Sequence, residues 1–248
     1  MQSIYELNDL STKTVLLRLD LNVPLRNGKI TDTTRIDKII PTLKFLIKKN
    51  AKIIIISHVG RPKGKIINDL SLKPICEDLQ SKIKHEIKLI KKNLNKIRSD
   101  DLFTIPDDRI LMLENIRFYK EEESNNDEFS KNLARLGDIY INEAFSCSHR
   151  PHASVYGIAK YLPSYSGLQL ESEILALKKI TTDIKRPITC IIGGSKISTK
   201  INVIKNIISK FDNIIIVGGM ANNILEYNGV DIGNSIKESN CTKIIDEI

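Results

Sequence analysis

Residues 51–64 read AKIIIISHVGRPKG. The run 51–57, unbroken in isoleucine from Ile53 to Ile56 between polar boundaries, has the pattern of a strand buried on both faces. Gly60, Pro62 and Gly64 then mark a loop. Upstream, residues 35–50 place Ile36, Ile39, Ile40, Leu43, Leu46 and Ile47 at helical spacing, and 15–20 (VLLRLD) predicts a strand running into the polar loop of Asn22. Downstream, 72–83 is helically periodic again. Strand–helix–strand–helix alternation predicts an α/β fold, a parallel sheet wrapped by helices.

The same pattern continues. Residues 110–113 form an apolar run, 127–136 a helix and 138–141 a strand that leads into a loop over 142–154. Residues 81–98 allow two readings: one lysine-rich amphipathic helix of the membrane-surface kind, or a helix, a short strand at 86–90 and another helix. Leu170, Ile174 and Leu177 mark a helix over 168–180 able to join two domains. After Arg186-Pro187, the runs 188–192 and 214–217 each end in a glycine pair. The expected organisation is a first domain over 1–166, an interdomain helix over 167–185 and the start of a second domain over 186–248. Two strands rarely make a sheet on their own, and the helical pattern of 242–248 stops on an apolar residue. The second domain is therefore expected to be incomplete in this chain.

Composition narrows the class. The chain has 248 residues, 41% hydrophobic and 27% charged, which excludes disordered, collagen-like and disulfide-scaffold proteins. No secretory signal is seen at the N-terminus, and no apolar run approaches the ~20 residues of a membrane helix. Cys76, Cys147, Cys190 and Cys241 lie far apart without zinc spacing, so free thiols in a reducing cytoplasm are expected. The net charge of +8 is uneven: residues 1–166 carry 28 Lys/Arg against 21 Asp/Glu, and 167–248 carry 10 against 9. A basic first half suggests an anionic partner. Nucleic acid is not expected, because aromatics make up only 5% and do not interleave with the basic runs.

In an open parallel sheet, ligands bind beyond the carboxyl ends of the strands. Asp20 and Asn22 follow the first apolar run; Ser57, His58 and Arg61 the second; Glu114, Asn115 and Arg117 the third; Glu143, His149, Arg150 and His152 the fourth. Arg35 opens a helix after a Thr-Asp-Thr-Thr turn. Any one arginine could be an ordinary surface residue. Arg35, Arg61, Arg117 and Arg150 on one edge repel each other unless an anion neutralises them, so the implied ligand is small and carries several negative charges. Asp20 and Asn22 suit its hydroxyl groups. His149-x-x-His152 has no third ligand at evident spacing. No metal site is expected.

In the second half, Gly193-Gly194-Ser195-Lys196 and Lys200 follow a strand and enter a helix. Glycines there let backbone N–H groups approach a phosphate, and the spacing of Lys196 and Lys200 predicts one helix face. The alternative is a tight turn with two solvated lysines. Gly218-Gly219 could likewise approach a nucleotide, or form a close-packed βα turn.

Taken together, RLDLNVPLRNGKITDTTRI (18–36), SHVGRPKG (57–64), LENIRF (113–118), HRPHAS (149–154), GGSKISTKI (193–201) and VGGMANNIL (217–225) resemble the phosphoglycerate kinase family. The resemblance covers essentially the whole chain. It implies two Rossmann-like parallel-sheet domains facing each other across a cleft, and a cytoplasmic, monomeric enzyme. The first domain would bind 3-phosphoglycerate or 1,3-bisphosphoglycerate through Asp20, Asn22, Arg35, His58, Arg61, Arg117 and Arg150, with Arg18, His149 and His152 in the same basic patch. The second would bind ADP or ATP, carried with Mg2+, through Gly193, Gly194, Lys196, Lys200, Gly218 and Gly219. Arg35, Lys196 and Lys200 would act on the moving phosphoryl group. Three features depart from the family: Glu143 where Asp is usual, Pro151 where a small residue is usual, and no WNGPxG or GGGDT segment in this chain. A fragment that only binds 3-phosphoglycerate is the alternative expectation.

Overall fold

Strand β1 (Gln2–Ser3) opens the chain, followed by β2 (Thr14–Leu19), the hairpin β3 (Leu25–Arg26) and β4 (Lys29–Ile30), helix α1 (Thr34–Lys48), β5 (Lys52–Ile56), α2 (Lys73–Ile83), β6 (Lys88–Ile90) and β7 (Ile110–Leu113). Then come α3 (Lys120–Glu123), α4 (Asp127–Ala134), β8 (Ile139–Glu143), β9 (Ser164–Ser166), α5 (Leu168–Thr181), β10 (Thr189–Gly193), α6 (Ile201–Ile208), β11 (Asn213–Val217), α7 (Gly219–Tyr227) and α8 (Thr242–Ile245). The computed structural model describes residues 2–26, 28–104 and 109–247. Ile248, the apolar end of the C-terminal helical pattern, lies outside the described residues.

Two compact units divide between Ile174 and Leu175, inside α5. In the first, seven described strands form one parallel sheet in the order β1-β9-β8-β2-β5-β7-β6. β2 and β5 are central, and their apolar runs are almost wholly buried. Alternation splits them between two layers. Val15, Leu17, Leu19, Ile53 and Ile55 pack with Ile36, Ile39, Leu43 and Leu46 of α1 and Ile75 and Leu79 of α2. Leu16, Ile54 and Ile56 pack with Phe129 and Leu133 of α4. Each fully buried apolar side chain contributes roughly 1.5–3 kcal/mol, so covering both faces is what holds the sheet.

Helix ends follow local chemistry. The Asn126 side chain accepts from the backbone N–H of Phe129 at 2.9 Å and caps α4. α2 stops where Lys84 enters the left-handed region at φ 57°. That stop decides between the two readings of 81–98: the helix ends at Ile83, β6 pairs with β7, and only a single 3-10 turn, Leu94–Lys96, follows. The expected final helix there is not formed. No described helix is long and apolar enough to cross a membrane.

In the second unit, β10 and β11 pair in parallel. Ile197, Ile204, Met220 and Cys241 form its small core, with Ile192, Ile216 and Ile224 packed against them.

Candidate functional site

Register aligns the carboxyl ends of the central strands. Arg18 of β2 lies opposite Ile56 of β5 and Asn142 of β8, and Leu19 lies opposite Glu143. The Ser57 hydroxyl donates to Leu19 O at 2.8 Å and accepts from Leu21 N at 3.2 Å, tying the strand ends together. The residues that follow these strands therefore share one edge.

Arg18 is the inward-facing exception in an apolar strand, 1% exposed. Its Nη2 lies 2.9 Å from His58 Nδ1, its Nε donates to Ser154 Oγ at 3.0 Å, and its Nη1 donates to Leu19 O. His58 is buried as well. Burial, then the positive charges of Arg18, Arg117 and Arg150 and the His152 ring, hold its pKa far below the ordinary 6.5. His58 is therefore neutral at any physiological pH. His152 is depressed too, first by burial and then by Arg117. Its Nδ1 lies 3.8 Å from Glu122 Oε1.

Arg117 is held by its surroundings. Asn115 donates to Val59 O at 2.8 Å and to Leu70 O at 2.9 Å, and its Oδ1 accepts from Arg117 N at 3.2 Å. Arg117 Nη1 donates to Gly60 O at 3.1 Å. Its Nε is buried without a hydrogen bond, 3.7 Å from Glu123 Oε1. Burial, aided by Arg150 and Arg18, pulls its pKa down against Cys147 and Glu123. Arg150 is half-buried, with its Nε 3.4 Å from His149 Nε2. His152 N donates to Arg150 O at 2.9 Å across Pro151. This three-residue turn suits the fixed φ of proline, so Pro151 shapes the loop that carries Arg150. Arg61 is exposed and has no partner among the described residues.

A second group lies where α1 begins. Asp20 accepts from Arg35 Nη1 and from Ser146 Oγ at 2.6 Å. Asn22 Oδ1 accepts from Gly60 N at 2.9 Å, linking this group to the loop of His58 and Arg61. A cavity of about 190 Å3 opens between Asp20, Arg35, Lys38, Ser146 and Gln169.

Two acidic residues of the edge serve the fold. Glu114 accepts from Ser71 Oγ, Leu72 N and Asn115 N, and so caps α2. Glu143 accepts from Thr42 Oγ1 of α1 and, at 3.0 Å each, from Gln169 N and Leu170 N at the start of α5. Burial raises its pKa against those three bonds. Ser146, Ser154 and Glu122 are the supporting groups that sequence reasoning assigned no role, and Asn115, expected at the ligand edge, holds the backbone around Arg117 instead. The one available signal was Arg18, a charge at an inward strand position that requires partners.

In the second unit, Gly193 and Gly194 end β10, and Gly218 and Gly219 lead into α7. Gly218 has φ 69° and ψ −157°, a region open to glycine alone. A Cβ on Gly219 would fall 3.1 Å from Ser195 O, and Met220 N donates to Gly194 O at 3.0 Å. The two βα turns thus pack backbone against backbone. Lys196 and Lys200 are exposed. Their expected position on one helix face is corrected here: α6 begins at Ile201, so Lys196 lies in the preceding turn and Lys200 is the N-cap. Tight packing of the glycine turns against each other delays the helix past both lysines.

Comparison with known proteins bears on the family and the fold. A family model described as phosphoglycerate kinase matches residues 4–248. A phosphoglycerate kinase of Rhizobium meliloti is 42% identical over 237 residues, covering 96% of this chain and 59% of the relative. One from Wolbachia pipientis (Culex pipiens) is 45% identical over 240 residues, covering 97% and 60%. The solved phosphoglycerate kinase of Coxiella burnetii superposes with a TM-score of 0.87 at 36% identity, over 98% of this chain and 61% of that one. That of Pyrococcus horikoshii gives 0.82 at 27%, over 94% and 59%. The chain spans about three fifths of the length of the relatives it matches. With its parallel α/β sheet and a match that runs almost from end to end, the chain belongs to the phosphoglycerate kinase family.

Proposed function

We propose that the chain serves the phosphoglycerate kinase reaction of glycolysis, in which the acyl phosphate of 1,3-bisphosphoglycerate passes reversibly to ADP to give 3-phosphoglycerate and ATP. The observation that carries this reading is the gathering of Arg18, His58, Arg117, Arg150 and His152 at one end of the sheet, where burial first and then the neighbouring arginines hold His58, Arg117 and His152 below their ordinary pKa values. So much positive charge with so few carboxylates favours a polyanion. Arg61, Arg117, Arg150 and the His58 ring would hold the triose phosphate, with Asp20 and Asn22 on its hydroxyl groups. Gly193, Gly194, Gly218 and Gly219 would admit the nucleotide, and Lys196 its phosphates.

An acyl phosphate is an activated donor, so in-line positioning and charge stabilisation suffice. Arg35 and Lys200 would stabilise the equatorial oxygens of the moving group, and Lys196 would steady it in transit. Among the described residues no three His, Cys, Asp or Glu side chains could hold a metal ion. Mg2+ would arrive with the nucleotide, as part of the Mg-nucleotide substrate.

Calorimetry of the purified chain with 3-phosphoglycerate is the first test: saturable heat is expected, and no heat at millimolar ligand would refute the anion site. In a coupled assay of ATP formation from 1,3-bisphosphoglycerate and ADP, Arg35→Ala is expected to cut turnover far more than affinity. A fall in affinity alone would remove Arg35 from the transfer step.

A further inference from the structure

Beneath the basic rim a buried polar row runs from α3 to His58. Glu122 on α3 is 0% exposed. It accepts from Ser154 N at 2.8 Å and from Ser154 Oγ at 2.6 Å. Ser154 Oγ accepts in turn from Arg18 Nε at 3.0 Å, and Tyr140 donates to Ser154 O at 2.9 Å. Arg18 Nη2 then meets His58 Nδ1 at 2.9 Å.

Each link has only one direction available. A guanidinium donates and never accepts, so His58 Nδ1 must be the unprotonated acceptor. Ser154 receives Arg18 Nε and must give its single hydrogen to Glu122. If Glu122 were protonated and donated to Ser154, the hydroxyl would have two donors and no acceptor among the described residues. The row is satisfied with Glu122 accepting both bonds from Ser154, Arg18 charged and the proton of a neutral His58 on Nε2. His58 Nε2 has no hydrogen-bond partner among the described residues, which leaves that N–H for a ligand.

We infer that Glu122 is a positioning residue: through Ser154 and Arg18 it fixes His58 as an Nε2–H donor at the floor of the anion site. The charged groups that bear on His58 are Arg18 on β2, Arg117 after β7, and Arg150 and His152 in the loop after β8. All but the neutral His152 ring are cationic, and Glu122 is the carboxylate that answers Arg18. Its role is orientation rather than charge on the ligand. Without it, Arg18 is a buried unpaired cation free to turn away from His58.

The ligand half of this inference rests on the triose-phosphate reading; the tautomer half does not. Nitrogen NMR of the whole chain with labelled histidine separates them. In the wild type, His58 is expected to show an unprotonated Nδ1 and a protonated Nε2, unchanged from pH 5.5 to 8. Glu122→Gln is expected to let His58 exchange between tautomers and to weaken 3-phosphoglycerate binding about tenfold, the loss from a misaligned hydrogen bond to an anion. Ser154→Ala, which leaves the backbone bond to Glu122, is the milder variant should Glu122→Gln not fold, and is expected to act the same way. A wild-type His58 that titrates in this range or protonates on Nδ1 overturns the proposal. So does an unchanged tautomer in the folded variants. A fixed tautomer without any 3-phosphoglycerate binding would instead overturn the triose-phosphate reading and the ligand half that rests on it.

Discussion

β5 reads KIIII and β11 reads NIIIV, yet four residues of β5 are buried in an unbroken run while β11 alternates between exposed and half-buried. β10 alternates in the same way. In the first unit, helices cover both faces of the sheet. In the second, Ile192 and Ile216 face a core, whereas Ile191 is 68% and Ile215 48% exposed. Parallel strands are ordinarily covered on both faces. The difference teaches that an apolar run specifies a strand but not its cover, which comes from whatever elements pack beside it.

Cavity formation should break the symmetry between the units most visibly. Leu17→Ala in β2 is expected to cost about 3 kcal/mol, and Ile191→Ala in β10 under about 0.5 kcal/mol. Urea unfolding of each variant measures both, and equal costs would mean that Ile191 is covered in solution. Glu143→Ala strands two buried donors and one half-buried one, and a loss of about 2 kcal/mol is expected in the same experiment. A negligible loss would show that solvent reaches the α5 start.

The polar edge of the first unit also leaves a signature in pH. The depressed His58 contributes stability that is present above its unfolded pKa of 6.5 and is lost as pH falls below it. By pH 5.5 this amounts to about 1.4 kcal/mol. Glu122 and Glu143, raised by burial, have the opposite sign: their contribution declines as pH rises from about 4.5. His58→Asn retains an acceptor for Arg18 and should flatten the acid side of the stability profile. An unchanged slope would mean that His58 is protonated in the folded chain. A more local effect is expected at α4: Asn126→Ala should cost about 1 kcal/mol through the lost cap, read as faster amide exchange at Phe129. Unaltered exchange there would show that water replaces the cap.

The centre of the sheet could be read from sequence because 53–56 and 110–113 are apolar throughout. Its flanks could not. β1 and β9 are QS and SYS, without an apolar run, and join the sheet only because β8 offers β9 an edge. At the edge of the sheet, His58, Arg117 and Arg150 followed from the rule that strand ends carry ligands, whereas the partners of Arg18 did not. Ser154 and Glu122 lie 136 and 104 positions away in the chain, and no local pattern marks such a pairing. The spacing argument for Lys196 and Lys200 failed for the opposite reason: it assumed a helix where the glycine turns hold the chain in a loop.

Glu143 has one further consequence. Its carboxylate pins two helices at once, since Thr42 lies two turns along α1 from Arg35, and Gln169 and Leu170 start the helix within which the two units divide. A pull along α5 is thus borne by the same atoms that seat the Arg35 helix, and neither can slacken while the other stays taut.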